Sequence, residues 1–301
     1  MCCTFSVSSR GKYTTTMFFK KKTDSVYPLV SVVVISYNQE KFIGAAIESV
    51  LAQTYQAWEM VCADDDSTDG TQAIITEYAA KEGRIKAAFH VNGGLSYNRN
   101  AGLLSTGYSA PYVLFLDGDD TLSPFALELL VARLGAEPGA VAAVGRAEHI
   151  DENGLPCIGR FGLPEPRDGL KELAEMIERP WGLGMYPASI ALYRRWAVEA
   201  CGAYNVFQRA CEDDDFAIRV ALHGPFLFIP DVLTQYRRHA GNVTNDEEYV
   251  QNAYVEAVRR RPWYRAAWNA GRGKLLGQNV APGDKYNPTQ YVGSGYTPEK
   301  A

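Results

Sequence analysis

Residues 29–35 read Leu-Val-Ser-Val-Val-Val-Ile, apolar and β-branched almost throughout. A strand with that pattern has no solvent face, which predicts a parallel sheet covered on both sides. Asn38 is placed to cap a helix, with Glu40 in its first turn. Phe42, Ile43, Ala46, Ile47, Val50 and Leu51 then return at helical spacing. The pattern predicts a second strand at 58–63. A helix follows, capped by Thr68 or Asp69, carrying Ile74, Ile75, Tyr78 and Ala79 on one face and ending at Gly83. A third strand at 85–89, a helix at 96–104 and a fourth strand at 112–116 come next. Ser123-Pro124 opens a helix that Gly135 ends, and 141–144 is a fifth strand. Strand and helix in alternation mean an α/β fold with right-handed crossovers.

The pattern weakens over 150–210. Helices are predicted at 171–178, stopped by Pro180, at 215–222, ended by Gly224, and at 247–260. The expected organisation is a flexible N-terminal tail at 1–27, one catalytic domain at 28–245, and a C-terminal helix and flexible tail at 246–301.

Composition narrows the class. The chain has 301 residues, 47% apolar and 22% charged, with a formal net charge of −5. Such a chain can bury a sizeable core, and without a basic excess nucleic acid is not expected as partner. The six Cys form no C-x-x-C pair and no zinc spacing. No apolar run has membrane-spanning length, and 1–27 lacks a signal-peptide pattern, so a cytoplasmic protein with reduced thiols is expected.

The chemistry lies in the acids. Asp64-Asp65-Asp66 follows the second predicted strand, and Asp117-Gly118-Asp119-Asp120 follows the fourth. Open parallel sheets bind ligands at the carboxyl ends of their strands. Like charges gathered there repel unless a cation or hydrogen-bond donors compensate them. Asp-x-Asp supplies hard oxygen ligands, which select Mg²⁺ or Mn²⁺, and Mg²⁺ is usually shared with substrate phosphates. A metal–diphosphate site is therefore expected. A Walker A loop is absent, because Trp268 stands where Gly273-Lys274 would need its upstream Gly.

Several segments, in order, resemble the inverting glycosyltransferases of family 2, which have the GT-A fold. They are Val32-Val-Val-Ile-Ser-Tyr-Asn38, Glu48-Ser-Val-Leu-Ala-Gln-Thr54, Asp64-Asp-Asp-Ser-Thr-Asp-Gly-Thr71 and Asn92-Gly-Gly-Leu-Ser-Tyr-Asn-Arg99-Asn100. Phe115-Leu-Asp117-Gly-Asp119-Asp120, Glu212-Asp213-Asp-Asp-Phe216 with Arg219, and Tyr236-Arg-Arg-His239 with Asn242 complete the set. Asp66 stands where the family usually has Gly or Asn.

The resemblance implies a Rossmann-like, mostly parallel central sheet flanked by helices, with a C-terminal helical extension. It implies Tyr37 against the nucleotide base beside Ser36, with Asp65 accepting the base N–H. An acceptor-only carboxylate there suits uracil or thymine. It places Glu40 and Arg99 in the nucleotide pocket, Asp117 near the ribose and metal, and Asp119 on the metal. His239 would reach the metal or diphosphate, Glu212 would contact substrate, and Asp213 would be the catalytic base. The implied partners are a nucleotide-sugar donor, here a UDP-sugar, and a glycan or lipid-linked acceptor, with Mn²⁺ or Mg²⁺ as cofactor. Peripheral membrane association and oligomeric state stay open. The rival readings are a nucleotide-sugar-binding module without turnover and a sugar nucleotidyltransferase.

Overall fold

The computed structural model describes residues 27–158, 169–171, 191–208 and 212–246, the positions 248, 249 and 252, and two short strands near the N-terminus. Those strands, β1 (Ser6–Val7) and β2 (Tyr13–Thr14), pair antiparallel within the segment expected to be a flexible tail.

The domain is built on one nine-stranded sheet. Strands β3 (Val30–Ser36), β4 (Trp58–Asp64), β5 (Ile85–Phe89) and β6 (Tyr112–Asp117) run parallel in the order β5-β4-β3-β6. Helices α1 (Ile43–Leu51), α2 (Thr71–Lys81) and α3 (Leu95–Ser105) connect them. Beyond β6 the chain adds β7 (Thr121–Leu122), α4 (Ala126–Ala136) and β8 (Ala142–Ile150), then β9 (Gly169–Lys171) and β10 (Ala191–Arg194). Helices α5 (Arg195–Ala200) and α6 (Glu212–Ala221) and the long strand β11 (Phe226–Arg237) follow. Strand β10 lies antiparallel between β6 and β8, β11 runs parallel to β8, and β7 and β9 pair antiparallel with β11.

Alternation along β3 divides the core. Val33 and Ile35 face a cluster with Phe115, Tyr193, Tyr204 and Phe216, while Val32 and Val34 face Ile43, Ile47, Met60, Leu114 and Leu127. Period-2 side chains with helices over both faces explain why β3 reads as a continuous apolar run. Among the described residues no helix is long and apolar enough to cross a membrane.

Three expectations are corrected. Asn38 does not cap α1, which begins at Ile43. Its backbone is left-handed (φ 52°), and its Oδ1 accepts the Thr68 N–H instead, at 2.8 Å. Lys171 belongs to β9 rather than to a helix, because it pairs with Phe226; the rest of the helix expected at 171–178 lies outside the described residues. Helix α6 begins at Glu212, three residues before the expected start, so the whole acidic run forms its first turn, where the helix dipole favours it. The helix expected at 247–260 lies largely outside the described residues.

Gly118 shows how the sheet edge is fitted. Its N–H donates to the Ile35 carbonyl at 2.8 Å, and a Cβ there would meet that oxygen at 2.7 Å and also strike the Gln39 side chain. Gly118→Ala is expected to lower stability by about 1–3 kcal/mol, since the end of β6 must move. Thermal unfolding checks this, and a wild-type melting temperature would contradict it.

Candidate active site

The carboxyl ends of β3 and β4 run side by side and are laced together. Asp64 is fully buried. It accepts hydrogen bonds from Ser36 Oγ (2.9 Å), Ser67 N (2.9 Å) and Gln72 Nε2 (2.7 Å). The Gln39 N–H donates to Thr71 Oγ1 (2.8 Å), and Glu40 accepts the Gly70 N–H at 2.8 Å. Ser36 and Glu40, expected in the nucleotide pocket, therefore also build its frame. Tyr37 is 49% exposed at the same edge, which leaves its ring accessible for stacking.

Asp65 is buried, and each of its carboxylate oxygens accepts one backbone N–H, from Gly93 and Gly94, at 2.8 Å. A carboxylate oxygen can accept twice, so capacity for a further N–H remains. Asp66 has φ 67°, a conformation in which L residues other than Asn and Asp are strained. That is the physical reason for the preference for Gly or Asn there, and Asp is among the residues that tolerate it.

The end of β6 carries the second acid cluster. Asp120 is fully buried and accepts the Arg237 N–H at 3.0 Å. Asp119 Oδ2 faces His239 Nε2 at 3.0 Å. The Gly241 N–H donates to His239 Nδ1 at 3.1 Å, which puts the ring proton on Nε2, toward Asp119. Asn242 holds this turn by accepting the His239 N–H at 2.7 Å and donating to the Arg237 carbonyl at 3.1 Å. Phe42 packs on the His239 ring, with centroids 4.5 Å apart.

Arg99 joins the two halves of the site. It is 1% exposed, on α3. Its NH2 lies 2.9 Å from Asp117 Oδ1, and its NH1 lies 3.1 Å from Glu212 Oε1 and 3.3 Å from Asp213 Oδ1. The guanidinium also sits over the Tyr204 ring, 5.1 Å from its centroid, and Tyr204 stacks on Phe216 of α6. Burial works against the Arg99 charge, but Asp213 and Asp117 outweigh it and hold the group protonated. Burial pushes the Asp213 carboxyl well above its ordinary range; Glu212, Asp117 and Asp214 add to the rise, and Arg99 opposes it. Burial also raises Asp117, with Arg99 opposing and Asp119 adding. A quarter of the Asp213 side chain still reaches solvent, so a substrate hydroxyl has access.

One guanidinium thus faces three carboxylates, and Asp119 adds its charge beside one of them, Asp117. Excess negative charge and hard oxygen donors fit a divalent cation with anionic substrate oxygens. Among the described residues no group of three or more His, Cys, Asp or Glu side chains is arranged to hold an ion by itself.

All the expected site residues lie along this edge or against it: Ser36, Tyr37, Glu40, Asp65, Arg99, Asp117, Asp119, Glu212, Asp213 and His239. Sequence reasoning missed four contributors. Asp64 and Asn242 sit inside recognised segments but were assigned no role. His90 bridges Asp65 and Asn98. Tyr249, beyond the expected domain end, donates its hydroxyl to Glu212 Oε2 at 3.3 Å. No periodicity or motif marks His90 or Tyr249.

Comparison with known proteins accords with this arrangement. Residues 31–202 match the family model described as Glycosyl transferase family 2. "Uncharacterized protein y4gI" of Sinorhizobium fredii is 33% identical over 196 residues, covering 64% of this chain and 20% of that protein. "UDP-Glc:alpha-D-GlcNAc-diphosphoundecaprenol beta-1,3-glucosyltransferase WfgD" of Escherichia coli is 31% identical over 137 residues, covering 46% of this chain and 52% of that protein. The chain thus spans between a fifth and about half the length of these two relatives. Among solved structures, S. aureus TarS 1–349 in complex with UDP-GlcNAc superposes with a TM-score of 0.63 at 21% identity, over 87% of this chain and 70% of that one. With more than half of its length matched by the family model and a sheet that superposes on TarS, the chain belongs to glycosyl transferase family 2 and has the GT-A fold.

Proposed function

We propose that the protein is an inverting glycosyltransferase. It moves a sugar from a UDP-sugar to a hydroxyl of a glycan or lipid-linked acceptor by single displacement. The observation that carries this reading is the Arg99 guanidinium held against Asp117, Glu212 and Asp213, which brings the end of β6 and the start of α6 to one point. The names of WfgD and of the TarS complex record UDP-sugars, and that of WfgD a lipid-linked acceptor; both support the same substrate class here.

In this reading Tyr37 stacks on the base and Asp65 accepts its N–H. Asp213 takes the proton of the acceptor hydroxyl as its oxygen attacks the anomeric carbon. Its raised proton affinity suits a general base, because an ordinary carboxylate holds a proton too weakly to draw it far across. Arg99 keeps Asp213 in place, and Glu212 bears on the substrate beside it. Asp117 and Asp119 would hold Mn²⁺ or Mg²⁺, which stabilises the charge developing on the departing diphosphate. A diphosphate leaves without a general acid, so one base suffices, and a single displacement inverts the anomeric centre.

Base recognition tests the donor assignment. UDP is expected to bind more tightly than GDP by about tenfold or more, since one bidentate or charge-assisted contact contributes that much. Titration calorimetry in the presence of Mn²⁺ measures it. Tighter GDP binding would overturn the UDP assignment.

A further inference from the structure

His90 stands just after β5, outside every recognised segment. Its Nε2 lies 3.0 Å from Asn98 Oδ1. Asn98 Nδ2 donates to the Ser36 carbonyl at 3.0 Å, which fixes Oδ1 as the acceptor end of that amide and His90 Nε2 as the donor. The other ring nitrogen, Nδ1, lies 3.2 Å from the Val91 carbonyl oxygen and 3.5 Å from Asp65 Oδ1. Tyr97 packs edge-on against the ring, centroids 5.1 Å apart. The ring is 14% exposed and Asp65 5%, so little water intervenes. Asp65 Oδ1 is also the oxygen that accepts the Gly93 N–H. One imidazole therefore touches Asp65 just after β4, the Val91 carbonyl after β5 and the first turn of α3, and it reaches the end of β3 only through Asn98.

We propose that His90 is a positioning residue for nucleotide-base recognition: its ring braces Asp65 and Asn98 where the three strand ends meet, and this sets the preference for uracil. The inference rests on the UDP reading above. Without the ring, Asp65 keeps its Gly93 and Gly94 amides but loses its lateral support. Asn98 loses the partner that orients its amide toward Ser36. The carboxylate can then shift relative to Tyr37, and a directional hydrogen bond to a base suffers more than stacking or diphosphate contacts do.

The test is calorimetry with UDP and with GDP, both with Mn²⁺, on the wild type, His90→Ala, His90→Gln and Asp65→Asn. His90→Ala is expected to weaken UDP by roughly tenfold and GDP by no more than about twofold, because only the directional contact to the base depends on the placement of Asp65. His90→Gln should recover part of the UDP affinity, because its amide N–H can still donate to Asn98. It also carries the test if the alanine variant does not fold. Asp65→Asn should weaken UDP as well. Equal weakening of UDP and GDP by the His90 variants would mean a general structural role and overturn the proposal. So would wild-type UDP affinity in both His90 variants while Asp65→Asn binds poorly, an outcome that leaves the base reading standing. Unchanged UDP affinity in Asp65→Asn would overturn the base reading itself, and the role of His90 with it.

Discussion

Asp213→Asn is expected to lower transfer by about 10²–10⁴, the usual contribution of a positioned general base. Asparagine keeps the shape and can still meet Arg99 NH1 through its oxygen, which lies 3.3 Å away in the aspartate. What disappears is the ability to take a proton. The loss should appear in kcat at saturating donor, because the interaction develops only with proton transfer. UDP affinity should be nearly unchanged. The pH profile is a second readout. Burial raises the folded-state proton affinity of Asp213, so the wild-type rate should fall as pH drops, beginning above the ordinary carboxylate range. The variant should lose that limb. Asp214→Asn provides the contrast: the neighbouring acid lies in the same first turn of α6, and Arg99 reaches Asp213 and Glu212. Equal losses in Asp213→Asn and Asp214→Asn would mean a generic acidic surface and end the base assignment.

The second large effect is expected from Asp119→Ala. Transfer should fall below detection, and UDP affinity should stop responding to added Mn²⁺. The fold should survive. The variant loses the 3.0 Å contact with His239, worth about 1 kcal/mol. Relief of the repulsion that Asp119 exerts on Asp117 offsets part of this. Steady-state transfer, calorimetry with and without Mn²⁺, and thermal unfolding read the three quantities separately. A variant that turns over like wild type would rule out Asp119 as the cation's anchor.

Much of the first half of the domain was legible in the chain. Strands β3 to β6 and helices α1 to α4 were found within a few residues, because each shows its own periodicity. The second half was legible only in part: the strand expected at 141–144 is the start of β8, and the helix expected at 215–222 is most of α6. The four residues of β10 form a strand only because β6 and β8 offer their edges on either side. Strand β11 runs twelve residues beside β8 with register shifts on the way, and no local pattern announces such a partner. Asn38 failed as a cap because a residue type favours several conformations. The neighbouring loop, through Thr68 and Ser67, selects the left-handed one.

At the site the division is similar. Residue identity and spacing along the chain established the acids, their places at strand ends and the family they resemble. Spacing says which carboxylates exist and what they can ligate, since that chemistry belongs to the side chain. It does not say how strongly each holds a proton. The proton affinity of Asp213 is raised by burial and by the neighbouring acids Glu212 and Asp117 and opposed by Arg99, 114 residues earlier in the chain, a balance that exists only after α3 and α6 meet. The bracing of Asp65 by His90 and the contact of Tyr249 with Glu212 also join residues with no sequence relation. Desolvation and the distances between charges are properties of the packed molecule, and so the tertiary structure alone decided that Asp213 holds a proton more tightly than an isolated carboxyl does.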